Sequence, residues 1–221
     1  MTALYAVYGI GGLGREVMPL VRAQLGKLPA ADDHTLVFVD DAAAAGQKVN
    51  GHDAVTYVEF LRMSAESRQA AIAIAINSGA IRRRLAERCG ADGISAFPVV
   101  AESAMFLDAV EIGEGAIVGP HALITSNTSI GRHFCGNYHS YVAHDCVVGD
   151  FVTLAPGARV NGNTVLEDGA YVGSGAVIRQ GSPGNPVVIG RNAVVGMGAV
   201  VTRSVAPGAI VIGNPARPMG A

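Results

Sequence analysis

The sequence predicts two domains of different build, an α/β domain with a parallel sheet over residues 1–98 and a parallel β-helix over residues 99–221. Short apolar runs alternate with helical patterns in the first 98 residues, whereas the rest of the chain repeats an aliphatic residue every six positions. Glycine is also unevenly distributed, with 10 of the 29 glycines before residue 99 and 19 after it.

The first domain is predicted from its alternating periods. The apolar runs Leu4–Tyr8, Thr35–Val39 and Ala71–Ile76 are typical of buried strands, and Arg15–Leu25 and Ile81–Cys89 carry apolar residues at helical spacing. Strands that alternate with helices favour a parallel sheet covered on both faces.

The second domain is predicted from its six-residue repeat. Stepping by six from Ile112 meets an aliphatic residue at eleven of twelve positions, with Gly136 as the exception. The repeat is interrupted by the insertion RQGSPGNPVV over residues 179–188 and then resumes at Ile189. The inward positions are Ile112, Val118, Ile124, Ile130, Gly136, Val142, Val148, Leu154, Val160, Leu166, Val172, Ile178, Ile189, Val195 and Val201.

Such a repeat is typical of a β-helix of triangular section, in which three hexads make one coil and tight corners favour glycine. Fifteen hexads give about five coils, or about 24 Å at a strand spacing of ~4.8 Å. We expect a narrow core of Val, Ile, Leu and Ala without aromatic rings, which explains why only 5% of the residues are aromatic. An antiparallel sandwich also alternates, but it has no reason to keep a six-residue register over so long a stretch.

Composition excludes several classes of protein. Half of the 221 residues are hydrophobic and the mean hydropathy is +0.35, which excludes a disordered chain. The formal charge of -2 gives no basic excess to neutralise a phosphate backbone, so nucleic acid is not an expected partner. The longest apolar stretches, residues 70–76 and 193–201, are much shorter than the roughly 20 residues of a spanning helix, so membrane insertion is not expected.

The N-terminus and the cysteines indicate the compartment. The first residues lack the basic segment and the long apolar segment of a secretory signal. Cys89, Cys135 and Cys146 are odd in number and form no Cys-x-x-Cys pair, which indicates reduced thiols rather than disulfides or a zinc clip. We therefore expect a cytoplasmic protein.

Four features taken together resemble one family. They are the hexad repeat, the ending VGMGAVVTRSVAPGAIVIGNPARP over residues 195–218, the HDC at 144–146 and the opening YGIGGLGRE at 8–16. In their order along the chain, these features resemble the left-handed β-helix (hexapeptide-repeat) sugar acyltransferases. Within that family they resemble the sialic acid O-acetyltransferase-like branch. That branch includes N-acetyltransferases of nucleotide-linked 4-amino sugars in bacterial glycan biosynthesis. The resemblance covers almost the whole chain and implies a Rossmann-like first domain followed by a left-handed parallel β-helix.

The resemblance also implies an activity and an assembly. The activity is acetyl-CoA-dependent acetyl transfer to the amino group of a nucleotide-linked deoxy-amino sugar, with acetyl-CoA as co-substrate and no metal. The assembly is a homotrimer with acetyl-CoA in the groove between neighbouring subunits. Trimerisation has a physical reason as well, because five coils of flat, lightly charged wall leave apolar faces to be covered.

His144 is the candidate general base, since the family places its base in the HDC motif. Acyl transfer to an amine requires removal of a proton as nitrogen attacks the thioester, and imidazole is suited to accept it. Asp145 is the second candidate catalytic residue, because a neighbouring carboxylate fixes the tautomer of an imidazole. Adjacent residues of a strand point to opposite faces, so Asp145 reaches His144 only if a corner turns it.

The sequence departs from the family at one position. Several members carry a second histidine nine residues after the histidine of the HDC motif. Here that position is Thr153, which we expect to donate a hydrogen bond to the thioester carbonyl. His139 is a candidate local replacement at the substrate. His121 and His139 are one coil apart and should stack, whereas His121 and His133 are expected to be corner imidazoles without a chemical role.

Further acetyl-CoA contacts are implied at Gly162, Ser174 and Met197. The segments GSGA at 173–176 and GMGA at 196–199 place glycines at corners, where a pantetheine arm can approach the backbone closely. These glycines also have a purely structural interpretation, because any β-helix needs them. The insertion at 179–188, with Arg179, is a candidate flap over the cofactor.

The motif GIGGLG at 9–14 follows a predicted strand and precedes a predicted helix, which by itself indicates a dinucleotide site with Asp40 on the ribose. Fewer than 100 residues precede the β-helix, too few for both halves of a dehydrogenase fold, so hydride chemistry is not expected. The resemblance instead implies a sugar-nucleotide site, in which the loop faces the phosphates and the carboxylates meet the nucleoside. Its implied residues are Gly11, Gly12, Leu13, Asp40, Asp41 and Asn77. A domain kept for packing alone is the alternative.

Two other activities compete with N-acetylation. The first is O-acetylation of sialic acid or of another glycan, with His144 deprotonating a hydroxyl. The second is a zinc hydratase of the γ-carbonic-anhydrase type, which uses the same β-helix and two histidines five residues apart, as His139 and His144 are. Zinc requires a third protein ligand, for which His121 is available.

Overall fold

The structure is a computed structural model that describes residues 2–27 and 33–219. The chain forms two compact units, one made of the residues up to Asn77 together with Ile81–Val99, and the other of Ser78–Ala80 together with the residues from Val100 onward. In the described ranges, no helix is long and apolar enough to cross a membrane.

The first unit is a six-stranded sheet with three helices. Its strands are β1 (Ala3–Tyr8), β2 (His34–Val39), β3 (Lys48–Val49), β4 (His52–Val55), β5 (Gln69–Ile74) and β6 (Ser95–Ala96), in the spatial order β3-β4-β2-β1-β5-β6. The β3–β4 pair is antiparallel, and the other neighbours are parallel. The helices are α1 (Gly12–Leu25), α2 (Tyr57–Ala65) and α3 (Gly79–Ala91).

All five predicted elements of this unit are present, with shifted bounds. The third predicted strand, Ala71–Ile76, lies two residues C-terminal to the observed β5, whose ladder with β1 ends at Ile74. The sequence analysis missed α2, although its start carries a capping box. The Thr56 hydroxyl accepts from the Glu59 backbone N–H at 3.2 Å, and the Glu59 carboxylate accepts from the Thr56 backbone N–H at 2.8 Å.

The second unit is a left-handed parallel β-helix built from three sheets. The first sheet contains β7 (Val99–Val100), β10 (Ile117–Val118), β13 (Cys135–Gly136), β16 (Thr153–Leu154), β19 (Tyr171–Val172), β22 (Val194–Val195), β24 (Ile210–Ile212) and β25 (Arg217–Pro218). The second contains β8 (Met105–Phe106), β11 (Leu123–Ile124), β14 (Tyr141–Val142), β17 (Arg159–Val160), β20 (Val177–Ile178) and β23 (Val200–Val201). The third contains β9 (Val110–Ile112), β12 (Thr128–Ile130), β15 (Val147–Val148), β18 (Thr164–Leu166) and β21 (Val187–Ile189).

The inward positions are those predicted. Fourteen of the fifteen hexad residues are buried, and Ile112, in the first coil, is 36% exposed. The prediction that the core holds no aromatic ring is wrong, because Phe134 is 1% exposed within the core cluster and Phe106 packs against that cluster. A Cβ at Gly136 would lie 2.7 Å from the Phe134 ring, so this ring fills the space of the one missing aliphatic residue.

Most corners between sheets contain one residue with a positive φ, from 52° to 70°, three positions after the inward residue. The corners after Ile178 and Val201, which adjoin the insertion and the last coil, are exceptions. We call the corner between the first and second sheets the first edge, that between the second and third the second edge, and that between the third and first the third edge. First-edge residues are His121, His139, Gly157, Gly175 and Gly198; second-edge residues are Ala109, Asn127, Asp145 and Asn163; third-edge residues are Gly115, His133, Phe151, Gly169, Asn192 and Gly208.

The prediction that glycine marks the corners needs a correction. Many glycines lie directly after the inward residue, where the next coil comes too close for a side chain. A Cβ at Gly149, for example, would lie 2.7 Å from the backbone nitrogen of Asp168. The left-handed corner itself is often Asn, Asp or His, which tolerate a positive φ better than other side chains do.

Candidate active site

The second edge brings His144 and Asp145 together. Asp145 occupies the left-handed corner, with φ at 56°, and this conformation turns its side chain back toward the preceding residue. The distance from His144 Nδ1 to Asp145 Oδ2 is 2.7 Å. Both side chains are about half exposed, at 50% and 48%. The sequence analysis expected Asp145 to reach His144 only if a corner turned its side chain, and Asp145 occupies such a corner.

The carboxylate of Asp145 fixes the proton on the imidazole. Asn127 Nδ2, one coil away on the same edge, donates to Asp145 Oδ1 at 3.2 Å. The hydrogen bonds from His144 and then from Asn127 hold the pKa of Asp145 below its ordinary value. An ionised carboxylate only accepts, so His144 carries its proton on Nδ1 and leaves the Nε2 lone pair available.

Gly162 lies against the imidazole of His144 from the next coil. A Cβ at Gly162 would lie 2.6 Å from Cε1 and 2.7 Å from Nε2 of His144, so the ring occupies the space that any side chain would take. The structure therefore shows why this position is glycine. The implied contact between Gly162 and CoA stays a prediction.

The first edge carries a different pair of histidines. The rings of His121 and His139 stack with centroids 5.1 Å apart and an angle of 14° between the planes, which confirms the predicted stacking. His133 is the corner residue of the third edge, as expected, and it is 3% exposed and stacks on Phe151. His139 and His144 lie on different edges, and the described residues contain no group of three His, Cys, Asp or Glu suited to a metal. The hydratase alternative gains no support from this geometry.

The other residues expected at acetyl-CoA do not join His144 within one chain. Thr153 begins a strand of the first sheet and is 1% exposed. Its expected hydrogen bond to the thioester stays a prediction. Ser174 and Met197 are exposed, Met197 at 82%, and flank the first-edge corners Gly175 and Gly198 rather than the second edge.

In the first unit, the four glycines of GIGGLG divide into two kinds. A Cβ at Gly14 would lie 1.8 Å from the Gly9 carbonyl oxygen, and Gly9 has φ at 111°, so backbone packing requires both. A Cβ at Gly11 or at Gly12 would meet nothing within 4 Å, and Gly11, the N-cap of α1, has no side-chain cap. The exposed Gly11 and Gly12, with half-buried Leu13, leave open space at the start of the helix.

The carboxylates after β2 have separate partners. Asp40 accepts from the backbone N–H of Ala42 at 3.0 Å and from that of Ile10 at 3.5 Å, which ties this loop to the glycine turn. Asp41 accepts from the Tyr8 hydroxyl at 2.9 Å and pairs with Arg88 at 3.0 Å.

Arg88 and Tyr8 were missed by the sequence analysis. The Arg88 guanidinium also lies 4.0 Å from the centroid of the Tyr57 ring, so it is held between a carboxylate and an aromatic face. Burial, followed by the hydrogen bond to Asp41, raises the pKa of Tyr8, so its hydroxyl keeps the proton that it donates. Asn77, the remaining predicted residue, is exposed three residues after β5, and its carbonyl accepts from Arg82 at 3.2 Å.

Comparison with known proteins identifies the family. Residues 145–180 match the family model "Bacterial transferase hexapeptide (six repeats)". The chain is 46% identical over 216 residues to the GDP-perosamine N-acetyltransferase of Escherichia coli O157:H7, a match that covers 98% of this chain and 96% of that one. The chain belongs to the hexapeptide-repeat sugar N-acetyltransferases.

Two solved structures extend this likeness. WeeI from Acinetobacter baumannii AYE superposes on the enzyme with a TM-score of 0.93 at 46% identity, covering 99% of this chain and 100% of that one. PerB from Caulobacter crescentus, solved in complex with CoA and GDP-perosamine, gives a TM-score of 0.82 at 26% identity and covers 98% and 97% of the two chains. The predictions of fold, family and acyltransferase activity are confirmed.

The geometry of the second edge suits this acyltransferase. A base for acyl transfer needs an accessible lone pair and a fixed ring, and His144 has both, because Asp145 holds Nδ1 and Gly162 gives the ring room. The HDC motif was enough to find the pair. The support from Asn127 and Gly162 appears in the sequence only as a spacing of 18 residues, one coil on either side.

Proposed function

We propose that the enzyme transfers the acetyl group of acetyl-CoA to the amino group of a nucleotide-linked deoxy-amino sugar, with His144 as general base and Asp145 as its positioning residue. The observation that carries the proposal is the 2.7 Å hydrogen bond between His144 and Asp145 on an exposed edge of a hexapeptide β-helix. GDP-perosamine is the acceptor to test first, because the curated relative at 46% identity is a GDP-perosamine N-acetyltransferase.

The proposed reaction uses the free lone pair of His144. The sugar amine attacks the thioester carbonyl carbon, so that an N–C bond forms while the C–S bond breaks. His144 Nε2 accepts the proton that the nitrogen loses, and the Nδ1–H bond to Asp145 stabilises the resulting imidazolium. CoA leaves as the thiolate and takes the proton from the His144 imidazolium, which yields the thiol and restores the neutral imidazole.

We propose a separate role for the first domain, residues 1–98, as the sugar-nucleotide-binding domain, with residues 99–221 as the acyltransferase domain. Gly11, Gly12 and Leu13 would face the phosphates, because the first turn of α1 contains no acidic residue and backbone N–H groups there attract anions. Asp41, held by Arg88, would face the nucleoside. Asp40 and Asn77 would line the same site.

We also propose a homotrimer. Ser174, Met197 and His139 lie on the first edge and His144 on the second, so these residues would meet one acetyl-CoA or one acceptor only if the first edge of a neighbouring copy faced the second edge of this one. The free, buried cysteines Cys89, Cys135 and Cys146 suit a reducing compartment, which supports a cytoplasmic location.

A thiol-release assay tests this function. Purified enzyme is given acetyl-CoA with GDP-perosamine, with other nucleotide-linked amino sugars, and with sialic acid as a hydroxyl acceptor. We expect CoA release with the amino acceptors and an N-acetylated product by mass spectrometry. Absence of CoA release with every amino sugar would contradict the proposal, and release with sialic acid instead would favour O-acetylation.

A further inference from the structure

The exposed imidazole of His139 has another ring on one side and open space on the other. On the N-terminal side it stacks on the ring of His121, with centroids 5.1 Å apart, which is close to one coil spacing of ~4.8 Å. On the C-terminal side the next corner of the first edge is Gly157, where a Cβ would meet nothing nearer than 3.9 Å. Packing therefore does not require glycine at this corner, and the space beside the His139 ring is available to a ligand.

His139 lies at the same height along the β-helix as the proposed base. The strand β14 (Tyr141–Val142) separates His139 from His144, so both residues belong to one coil. The proposed homotrimer places the first edge of a neighbouring copy against the second edge of this one. Rotation about an axis parallel to the stack of coils keeps every coil at its height. His139 of the neighbouring copy is therefore level with His144 of this copy.

The co-substrate reaches this height from the C-terminal coils. Ser174 and Met197, the proposed contacts of acetyl-CoA, flank the first-edge corners two and three coils beyond His139. The pantetheine arm therefore passes Gly157, and the acyl group at its end points toward the His139 ring. Each further carbon of an acyl chain needs about 1.2 Å, because three bonds of an extended chain cover roughly 3.5 Å. The His139 ring blocks the path of these further carbons.

We propose that His139 of the neighbouring copy limits the length of the acyl group and thereby makes the enzyme selective for acetyl-CoA over CoA thioesters of longer fatty acids. The inference rests on the proposed function, which places the thioester beside His144 in a homotrimer. Removal of the ring would extend the open path by one coil, or ~4.8 Å, as far as His121. This length takes about four more carbons, so the limit would move from two carbons to six.

A series of acyl chains tests the proposal. With GDP-perosamine as acceptor, kcat/KM is measured for acetyl-, butyryl-, hexanoyl- and octanoyl-CoA. The wild type should lose about 100-fold from acetyl-CoA to butyryl-CoA, since each methylene that a site cannot accommodate is costly. His139→Gly keeps the left-handed corner without strain. This variant should use butyryl- and hexanoyl-CoA to within about tenfold of acetyl-CoA and should still reject octanoyl-CoA.

Two further variants separate the ring from the backbone. Asn192→Gly is the matched control, because it removes a side chain from a corner with φ at 55° on the third edge, and it should keep the wild-type profile. His139→Asn introduces a side chain that other corners of this β-helix carry, such as Asn127 and Asn163. It should admit butyryl-CoA but not hexanoyl-CoA, because the shorter side chain frees only part of the space.

Calorimetric titration of unreactive thioethers separates this inference from the proposed function, since it needs no acceptor. The wild type should bind S-ethyl-CoA about tenfold more tightly than S-hexyl-CoA, and His139→Gly should bind the two equally. That result supports the inference even if no amino sugar is turned over. Equal use of acetyl- and hexanoyl-CoA by the wild type would overturn the inference and leave acetyl transfer intact. An unchanged chain-length profile in His139→Gly, with a higher KM for the sugar nucleotide, would assign His139 to the acceptor and would also overturn it.

Discussion

Two edges of the same β-helix carry exposed histidines that differ in backbone setting and in partner. On the first edge, His121 and His139 are both left-handed corner residues of successive coils, and each meets another imidazole. On the second edge, the corner residue is Asp145, and His144 directly precedes it. The carboxylate fixes the proton on His144 Nδ1, whereas an imidazole gives its neighbour no such fixed acceptor. The partner, rather than the exposure, therefore distinguishes His144, the proposed base, from the first-edge histidines.

The largest expected effect comes from the base itself. His144→Gln should lower kcat about 1,000-fold, because general base catalysis contributes roughly 10²–10⁴. His121→Gln is the matched substitution on the first edge and should leave kcat within twofold. Steady-state rates of CoA release measure both. Similar losses in the two variants would remove the distinction between the edges.

The next effect comes from the carboxylate. Asp145→Asn keeps the shape but offers His144 an amide in place of an anion, so the tautomer is no longer fixed and the imidazolium is no longer stabilised. We expect kcat to fall about 100-fold with KM for acetyl-CoA unchanged, since Asp145 acts through His144 rather than on the substrate. Loss of affinity with full kcat would instead make Asp145 a binding residue.

A smaller effect is expected at Gly162. Gly162→Ala would place a Cβ less than 3 Å from the imidazole, and the ring must move away from its position beside Asp145. We expect about a tenfold loss of kcat, since small displacements of a catalytic group are costly. Gly90→Ala is the control, because a Cβ there meets nothing within 4 Å and the residue lies within α3. Gly90→Ala should keep full activity and be slightly more stable to heat.

The smallest effect is expected at Asn127. Its amide helps to hold the pKa of Asp145 below the ordinary 3.8, so Asn127→Ala should raise this pKa toward 3.8 and lower kcat about twofold. A carbon NMR titration of the Asp145 carboxyl measures the shift. Because the folded-state pKa is the lower one, the stabilisation from this carboxylate is present above pH 3.8 and is lost as pH falls through the lowered value. The variant should lose it at a higher pH than the wild type.

Much of the fold was predictable because its period is short and strict. A six-residue aliphatic repeat indicates which residues point inward before any contact is known, and the interruption at 179–188 is visible as a break in that period. Of the elements missed in the first unit, β3 and β6 have two residues each, and pairing with neighbours rather than their own pattern forms them. The nine-residue α2 was missed although its capping box is a local signal. Phe134 was missed because the repeat shows that an aliphatic residue is absent at Gly136 but not which neighbour fills the space.

The candidate site was predictable only in part. HDC identifies His144 and Asp145 through the family resemblance, but Arg88 and Tyr8 gave no local signal. Arg88 meets Asp41 across 47 positions of the sequence, and Tyr8 meets it across 33. Thr153 was expected at the thioester through the family resemblance, and the structure adds that it is 1% exposed.

The sequence by itself determined the two-part architecture, the inward face of every coil and the HDC pair, because backbone periodicity and local motifs depend on residues that are near one another in the chain. Only the tertiary structure decided whether Asp145 reaches His144, which glycines serve packing and which leave open space, and which residues share an edge. The physical reason is that these three features depend on the sign of φ at the corner and on the register between coils. The register brings together side chains that are 18 or more residues apart, and no local sequence pattern relates such residues.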